Sequence, residues 1–172
     1  MRIVAGKWKG RHLKPPADRS LRPTADRVRE AWMSIVQLEL PEARVLDLFA
    51  GSGALGIEAL SRGARSVDFV DSSAKSLTIL QANLMALEAG GAASVHKADA
   101  LKFVADLPPQ AYDVAFADPP YAEGLAEAVA TQWLKSPFAR VLGVEHEKRV
   151  ELPGSADRRV YGDTVVTFYR TP

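Results

Sequence analysis

The sequence predicts an α/β protein whose sheet is mostly parallel, with an antiparallel hairpin near the C-terminal end and a small basic arm at the N-terminal end. Three observations support this fold class. Short apolar runs typical of buried strands alternate with segments of helical periodicity. A glycine-rich segment directly follows the first of these runs. The last two β-rich segments flank a turn at Gly162 and Asp163, which predicts a hairpin at the sheet edge.

The composition is that of an ordinary globular protein and favours one main core. The 172 residues are 47% hydrophobic and 25% charged, and no apolar run approaches the ~20 residues of a membrane span. The N-terminus lacks the apolar core of a signal peptide. The absence of cysteine fits a reducing cytoplasm, and the three histidines are scattered along the chain. We therefore expect a cytoplasmic protein with no metal site and no membrane partner.

The charge is distributed unevenly along the chain. Residues 1–29 contain nine Lys and Arg against two Asp, a net charge of +7, whereas residues 30–172 have a net charge of −6. A basic segment on a mildly acidic body indicates a polyanionic partner, although charge runs are often only solubilising. We divide the chain into a basic arm or hairpin at residues 1–22, called the N-terminal arm, and a main domain at residues 23–172.

Within the N-terminal arm, apolar residues alternate with Lys and Arg before the run ends at Pro15 and Pro16. This pattern predicts a small hairpin or an extended segment. Trp8 lies among lysines, so it could stack on an unpaired base while the cations bind phosphates. It could equally pack the arm onto the main domain, and the sequence leaves both interpretations open.

The first helix is predicted to have Thr24 as its N-cap and to end before Pro41. Its apolar residues recur at helical spacing at Val28, Ala31, Trp32, Ile35 and Leu38. Arg22, Arg27 and Arg29 cluster near its start, where the periodicity does not require them. They are candidates to bind phosphate or carboxylate groups, with a solvated helix face as the alternative.

The segment around which the chain is organised begins with a predicted strand at residues 45–50. Three glycines follow, Gly51, Gly53 and Gly56, and a helix is predicted over about residues 54–62. Glycines let the backbone approach a ligand closely, and a helix N-terminus presents N–H groups to it. The spacing satisfies G-x-G-x-x-G, which several cofactor sites share and a turn without ligand also permits. We call the segment from the end of the strand to Gly56 the glycine turn.

Three aspartates end three successive predicted strands, namely Asp71, Asp99 and Asp118. In an open α/β sheet the ligand lies beyond the carboxyl ends of the strands, so these side chains should converge on one crevice. The other predicted elements are strands at residues 67–71, 94–99, 112 to Asp118, 141–145, 159–161 and 164–169 and helices at residues 75–89, 101–107 and 124–134.

Asp47, just before the glycines, indicates which kind of cofactor the turn could bind. A carboxylate facing a pyrophosphate is repulsive, which argues against a nicotinamide dinucleotide. The same carboxylate suits a cationic group such as the amine or sulfonium of S-adenosylmethionine. A buried carboxylate that accepts hydrogen bonds from turn amides is the alternative interpretation of Asp47.

The motif Asp118-Pro119-Pro120-Tyr121 indicates the chemistry. The lone pair of an exocyclic amine is delocalised into its base, so a methylating site must accept hydrogen bonds from both N–H groups. The Asp118 carboxylate can be one acceptor, and the carbonyl of Pro119 can be the other, because the Pro-Pro step holds the backbone stiff. Tyr121 can stack on an extruded base.

These motifs together resemble the Rossmann-like class I S-adenosylmethionine-dependent methyltransferases that act on amino groups. The sequence is closer still to the bacterial RsmD family, which methylates the N2 amine of a guanine in small-subunit (16S) ribosomal RNA. The matching segments are residues 2–6, 10–11, 22–30, the glycine turn, Asn83, 112–121 and 162–169. The block at residues 22–30 is the most specific of them.

The resemblance implies a set of site residues. Cofactor contacts are expected at Asp47, Phe49, Gly51, Ser52, Gly53, Asp71, Ser72, Asp99, Ala100 and Asp118, with Asp71 on the ribose and Asp99 on the adenine amine. Methyl transfer is expected at Asp118, Pro119, Pro120 and Tyr121. RNA contacts are expected at Arg11, Arg22, Thr24 and Arg27. The sequence departs from the family pattern in ending its second strand with Asp71 followed by serine, and in a short segment after Tyr121.

The resulting hypothesis is direct transfer of a methyl group from S-adenosylmethionine to a guanine N2 in ribosomal RNA or the small subunit. The alternative enzyme is an adenine-N6 DNA methyltransferase, which shares Asp-Pro-Pro-Tyr, although about 50 residues after Tyr121 leave little room for a target-recognition domain. A non-catalytic RNA-binding assembly factor is an alternative of a different class, and an NAD-dependent enzyme is the last.

Overall fold

The computed structural model describes residues 1–16, 26–121, 124–154 and 156–172. Seven strands are found in these residues, and they form one sheet. They are β1 (Arg44–Leu48), β2 (Ser66–Asp71), β3 (Ala93–Lys97), β4 (Tyr112–Ala117), β5 (Ala139–Glu147), β6 (Asp157–Tyr161) and β7 (Thr164–Arg170). The order across the sheet is β3-β2-β1-β4-β5-β7-β6.

Strands β1 to β5 are parallel, whereas β7 is antiparallel to β5 and β6 is antiparallel to β7. The predicted α/β fold with a C-terminal hairpin is therefore confirmed. The carboxyl ends of the five parallel strands lie at one edge of the sheet, which we call the carboxyl edge. The start of β7 reaches the same edge, because Thr164 pairs with Glu147 at the end of β5.

Helices cover both faces of the sheet. They are α1 (Asp26–Val36), α2 (Ala54–Ser61), α3 (Ala74–Ala86), α4 (Ala100–Ala105) and α5 (Leu125–Lys135). Alternate strand residues point to opposite faces, so Phe69 and Phe116 join the core under α1, α2 and α3, while Val70 and Ala117 join the core under α4 and α5. Burial on both faces explains why the parallel strands are nearly continuous apolar runs. None of the helices in the described residues has the length and apolar character needed to span a bilayer.

Several element boundaries differ from the sequence prediction. Helix α1 ends at Val36, so Leu38 is 89% exposed and does not belong to its apolar face. The predicted cap Thr24 lies outside the described residues. Helix α3 ends at Ala86, because Glu88 adopts a left-handed conformation with a φ of 52° and turns the chain before residue 89. Strand β1 ends at Leu48 and β3 ends at Lys97, each two residues earlier than expected.

The described part of the N-terminal arm folds back on itself. Arg2 and His12 form an antiparallel bridge, and Ile3 and Leu13 are buried in the core under α1 to α3. Trp8 is partly buried against the same core, and the Nζ of Lys7 lies 4.4 Å from the centre of its ring. Of the two interpretations of Trp8, the structure supports the one in which it packs the arm onto the domain.

Polar side chains of α2 hold the arm in place. The Glu58 carboxylate, 1% exposed, accepts hydrogen bonds from the N–H groups of Val4 and Ala5, each at 3.1 Å. Ser61 accepts from the Trp8 N–H at 3.0 Å through its Oγ. Arg29 of α1 is also 1% exposed and donates to the carbonyl of Arg2 at 2.7 Å. The arm is therefore bound through its backbone and its apolar side chains, which leaves most of its basic side chains exposed.

Candidate functional site

The glycine turn is a tight bend at the carboxyl edge. Phe49, Gly51 and Gly53 have positive φ angles of 57°, 57° and 89°. A Cβ on Gly53 would lie 2.3 Å from Leu80 Cδ1, whereas a Cβ on Gly51 would meet nothing within 4 Å. Gly53 is therefore required for packing, while Gly51 faces open space where a ligand could approach the backbone.

Asp71 supports this bend from the end of β2. Its Oδ2 accepts a hydrogen bond from the Gly51 N–H at 2.9 Å, and its Oδ1 accepts from the Ser73 N–H at 2.8 Å. Ser73 in turn caps α3 by accepting from the Ser76 N–H. Ser72, between these groups, is exposed at the edge. Asp71 thus contacts the glycine turn directly, and its two hydrogen bonds fix the orientation of the carboxylate.

Asp47 is buried beneath the turn and is 2% exposed. Its Oδ2 accepts a hydrogen bond from the Gly56 N–H at 2.9 Å. Burial raises the pKa of Asp47 well above its ordinary value, against the hydrogen bond from Gly56, and the negative charges of Asp118 and Asp71 raise the pKa further. Asp47 therefore lies close enough to both other carboxylates for their charges to act on it, and a cation placed beside it would be stabilised.

Asp99 differs from the prediction that it ends a strand. Strand β3 stops at Lys97, and Asp99 is the N-cap of α4, where its Oδ1 accepts from the Lys102 N–H at 2.9 Å. The physical reason is the strong N-cap preference of aspartate, which begins the helix at Ala100. Asp99 is exposed and Ala100 is buried, and both follow β3 at the carboxyl edge.

The loop at residues 118–121, called the Asp-Pro-Pro-Tyr loop, directly follows β4, the neighbour of β1. Pro119 is buried, whereas Pro120 and Tyr121 are exposed. The Tyr121 hydroxyl donates to Glu145 Oε1 at 3.3 Å and lies 3.0 Å from Thr164 Oγ1. Tyr121, at the far end of the loop, is thus held against the ends of β5 and β7, whereas Asp118 directly follows β4.

A cavity of about 180 Å³ opens between this loop and the end of β5. Its walls include Pro119, Pro120 and Tyr121 from the loop, together with Glu145, Glu147 and Arg149. The Arg149 Nε donates to Glu147 Oε2 at 2.7 Å, so this cation is already paired. The described lining is consequently more acidic than basic, and it suits a ligand edge that presents hydrogen-bond donors.

Asn83 of α3 connects the N-terminal arm to the glycine turn. Its Nδ2 donates to the carbonyl of Lys14 at 3.1 Å and to the carbonyl of Ser52 at 3.0 Å. Its Oδ1 accepts from the Lys14 N–H at 2.8 Å. One buried amide therefore fixes residue 14 of the arm and the centre of the turn relative to each other.

The predicted RNA-binding residues are only partly described. Arg11 is exposed on the arm and donates to the carbonyl of Ala86 at 2.9 Å, and Arg27 is exposed on the first turn of α1. Arg22 and Thr24 lie outside the described residues. Arg29 is buried, with one nitrogen 3.1 Å from Asp26 and another 3.9 Å from Glu58. The sequence predicted that it binds phosphate or carboxylate groups, and in the structure it pairs with carboxylates.

Sequence reasoning missed the roles of Glu58, Glu145 and Thr164. Glu58 and Glu145 did carry a signal, because each is a carboxylate directly beside apolar residues of a helix or strand. A carboxylate in a buried element is retained only with partners. Their partners lie 54 and 24 residues away in the sequence, so the sequence alone did not identify them.

A glycine turn after β1, acids at the carboxyl edge and an Asp-Pro-Pro-Tyr loop after β4 define a Rossmann-like class I methyltransferase fold. The structure of the hypothetical protein TTHA0928 from Thermus thermophilus superposes with a TM-score of 0.85 at 33% identity, covering 99% of both chains. The family model described as "Conserved hypothetical protein 95" matches residues 1–170.

Two curated relatives carry the same name, ribosomal RNA small subunit methyltransferase D. The Haemophilus influenzae protein is 36% identical over 160 residues, covering 89% of this chain and 83% of the relative. The Escherichia coli K12 protein is 41% identical over 127 residues, covering 74% of this chain and 63% of the relative. The chain belongs to this family, the RsmD family.

Proposed function

We propose that this protein transfers a methyl group from S-adenosylmethionine to the N2 amine of a guanine in small-subunit ribosomal RNA. The observation that carries the proposal is the position of the Asp-Pro-Pro-Tyr loop. It follows β4, the strand next to β1, and the charge of Asp118 acts on Asp47 beneath the glycine turn. A methyl donor on the turn and an amine at the loop would therefore meet. The names of the curated relatives support ribosomal RNA as the substrate.

The residues at the carboxyl edge fit S-adenosylmethionine. Bound there, this cofactor supplies an electrophilic methyl group carried on a sulfonium cation. Asp47, Asp71 and Asp118 form an acidic environment suited to that cation and to the cofactor's amine. The open space beside Gly51 admits the ligand to the backbone. We assign cofactor contacts to the predicted set, namely Asp47, Phe49, Gly51, Ser52, Gly53, Asp71, Ser72, Asp99, Ala100 and Asp118.

Catalysis by this chain consists of positioning the amine. The Asp118 carboxylate accepts one N–H of the exocyclic amine and the Pro119 carbonyl accepts the other, so the nitrogen lone pair points at the methyl carbon. With the cofactor bound, the amine nitrogen held in this way would take the methyl group as the S–C bond breaks, and it would then lose one proton to solvent. Asp118 therefore acts as a hydrogen-bond acceptor, and no strong base is required.

The aromatic ring and the basic residues hold the RNA. Tyr121 stacks on the extruded base, and its hydroxyl contacts with Glu145 and Thr164 fix the plane of the ring. Arg11 and Arg27 are exposed and take phosphates, together with Arg22 and Thr24 from the predicted set. The protein works in the cytoplasm, where ribosomal RNA is available.

The test compares wild-type protein with Asp118→Ala and with Asp106→Ala, an exposed aspartate after α4, as the matched control. Purified ribosomal RNA, small subunits and duplex DNA are incubated with labelled cofactor, and modified nucleotides are mapped by mass spectrometry. We expect N2-methylguanine in ribosomal RNA, a loss of at least ~100-fold in Asp118→Ala, and cofactor binding that remains measurable by calorimetry. N6-methyladenine in DNA, or near-normal transfer by Asp118→Ala, would refute the proposal.

A further inference from the structure

We infer that Glu145 reads the N1–H of the target guanine and thereby makes the site select guanine over adenine. This inference rests on the proposed function and extends it to the group that determines base specificity. Glu145 is 1% exposed, lies on β5 and forms part of the wall of the cavity beside the Asp-Pro-Pro-Tyr loop. Burying a charge is costly, so a carboxylate in this place is retained together with hydrogen-bond donors, of which the Tyr121 hydroxyl is one.

The sheet register places Glu145 beside Asp118. Ala117 and Val144 are paired on the parallel strands β4 and β5, and Asp118 and Glu145 are the next residues of the two segments. Neighbouring strands lie about 4.8 Å apart, so the backbones of these two acidic residues are neighbours at the carboxyl edge. Glu145 lines the cavity, and so does Pro119, the residue after Asp118. The two donor groups of guanine, N1–H and the N2 amine, are likewise adjacent on one edge of the base.

The chemistry of the two purines makes this arrangement selective. Guanine presents a hydrogen on N1 next to its amine, whereas adenine presents a lone pair on N1 next to its amine. A carboxylate that faces N1 therefore attracts guanine and repels adenine. The acidic lining of the cavity, which contains Glu127 and Glu147 as well as Glu145, also disfavours a phosphate in this position.

Tyr121 orients Glu145 for this contact. The phenol donates to Oε1 of Glu145, and a carboxylate offers about four lone-pair sites, so it can accept from Tyr121 and from a base together. Thr164 holds the same phenol from β7. The residue that stacks on the base is thus connected to the residue that reads its edge.

The experiment first maps the guanine that wild-type protein methylates, and then replaces that guanine in the same RNA by 2-aminopurine. This analogue keeps the 2-amino group but lacks the N1 hydrogen and O6. 6-Thioguanine, which keeps the N1 hydrogen, controls for the change at O6. For wild-type protein we expect kcat/KM to fall at least about tenfold with 2-aminopurine and to change little with 6-thioguanine.

The Glu145→Gln variant gives the decisive comparison, because the glutamine amide can donate to the bare N1 of 2-aminopurine. We expect its guanine-to-2-aminopurine ratio of kcat/KM to fall at least about tenfold below that of wild type. Glu147→Gln, which removes one charge from the same cavity, should leave the ratio unchanged. Thermal unfolding and cofactor binding verify that the variants are folded.

Three results would overturn the inference. Equal use of guanine and 2-aminopurine by wild-type protein would mean that N1 is not read. An equal loss on both bases in Glu145→Gln would mean that Glu145 only holds Tyr121 in place. A wild-type protein that methylates no guanine N2 would remove the proposed function as well, whereas the first two results leave it intact.

Discussion

The two halves of the carboxyl edge are built in different ways. In the glycine half, at the ends of β1 and β2, Asp47 and Asp71 accept from backbone N–H groups 9 and 20 residues away. In the loop half, at the ends of β4 and β5, Tyr121 is held by side chains of β5 and β7 that lie 24 and 43 residues away. These contacts of the glycine half are all made within residues 47–71. Those of the loop half join separate segments of the chain that the sheet brings together.

This difference has a functional meaning. The glycine half fixes backbone and carboxylates in advance, which suits a cofactor that every reaction uses in the same form. The loop half borders an open cavity and is held through the Tyr121 phenol, which suits a large substrate that enters from solvent. We therefore expect substitutions in the two halves to separate cofactor binding from RNA methylation.

The largest effect is expected when α2, the helix that follows the glycine turn, loses its anchor to the N-terminal arm in Glu58→Ala. This change removes the acceptor for Val4 and Ala5 and the carboxylate that pairs with Arg62 at 3.1 Å. Losing one partner of a buried ion pair should lower the free energy of unfolding by about 3–5 kcal/mol. Urea denaturation measures this loss.

Trypsin provides an independent test of the same variant, because the arm should become cleavable at Lys7 and Lys9. The exposed Glu30→Ala is the control and should change stability by less than about 0.5 kcal/mol. An arm that stays protected in Glu58→Ala would show that Glu58 does not anchor it.

A pair of substitutions in the glycine turn should separate packing from ligand approach. Gly53→Ala should lose about 2–3 kcal/mol of stability, because its Cβ would lie 2.3 Å from Leu80 Cδ1 in a left-handed backbone. Gly51→Ala meets no atom, so it should cost only about 1 kcal/mol but weaken cofactor binding about tenfold or more. Thermal unfolding and calorimetry measure the two quantities, and equal cofactor affinity in wild type and Gly51→Ala would contradict this prediction.

A smaller effect is expected in the loop half from Tyr121→Phe, which keeps the ring and removes the hydroxyl contacts to Glu145 and Thr164. Loss of such hydrogen bonds is worth about 1 kcal/mol, so kcat/KM for RNA should fall about fivefold while cofactor affinity is unchanged. Tyr161→Phe on β6 is the control. A similar loss in both variants would argue against a specific role for the Tyr121 hydroxyl.

The smallest expected effect is a pH dependence of cofactor binding through Asp47. Its pKa is raised by burial, so the carboxyl takes up a proton above the ordinary carboxyl range, and a bound cation favours the ionised form. Affinity should therefore increase as the pH rises through this pKa, with proton release. Calorimetry in two buffers of different ionisation enthalpy detects that release.

Asp47→Asn supplies the control for the pH dependence, because it cannot release a proton. The stability of the free protein should change with pH in the opposite direction to the affinity for the cofactor. A raised folded-state pKa means that ionised Asp47 destabilises the fold, so stability declines as the pH rises from the ordinary carboxyl range through the raised pKa. Asp47→Asn should remove this decline, and proton release that persists in the variant would have another source.

The sequence predicted the fold class and a turn after β1 that leads into α2, because their determinants are local. Apolar runs identify buried strands, and the alternative interpretation of Asp47, a carboxylate bonded to a turn amide, is the contact with Gly56. Asp99 was misplaced because a helix cap competes with a strand end. The partners of Glu58 and Glu145 could not be predicted, because they are far away in the sequence. The fold brings them together, and the spacing of residues along the chain does not show this.

The contact of Asn83 with Lys14 and Ser52 has a practical consequence for engineering. An N-terminal segment taken from a relative would have to place its backbone N–H and carbonyl where those of Lys14 bond the Asn83 amide. If it did not, the exchange would disturb the glycine turn at Ser52 as well as the arm. Chimeras intended to redirect this enzyme to another RNA should therefore keep residue 14 and Asn83 from the same parent.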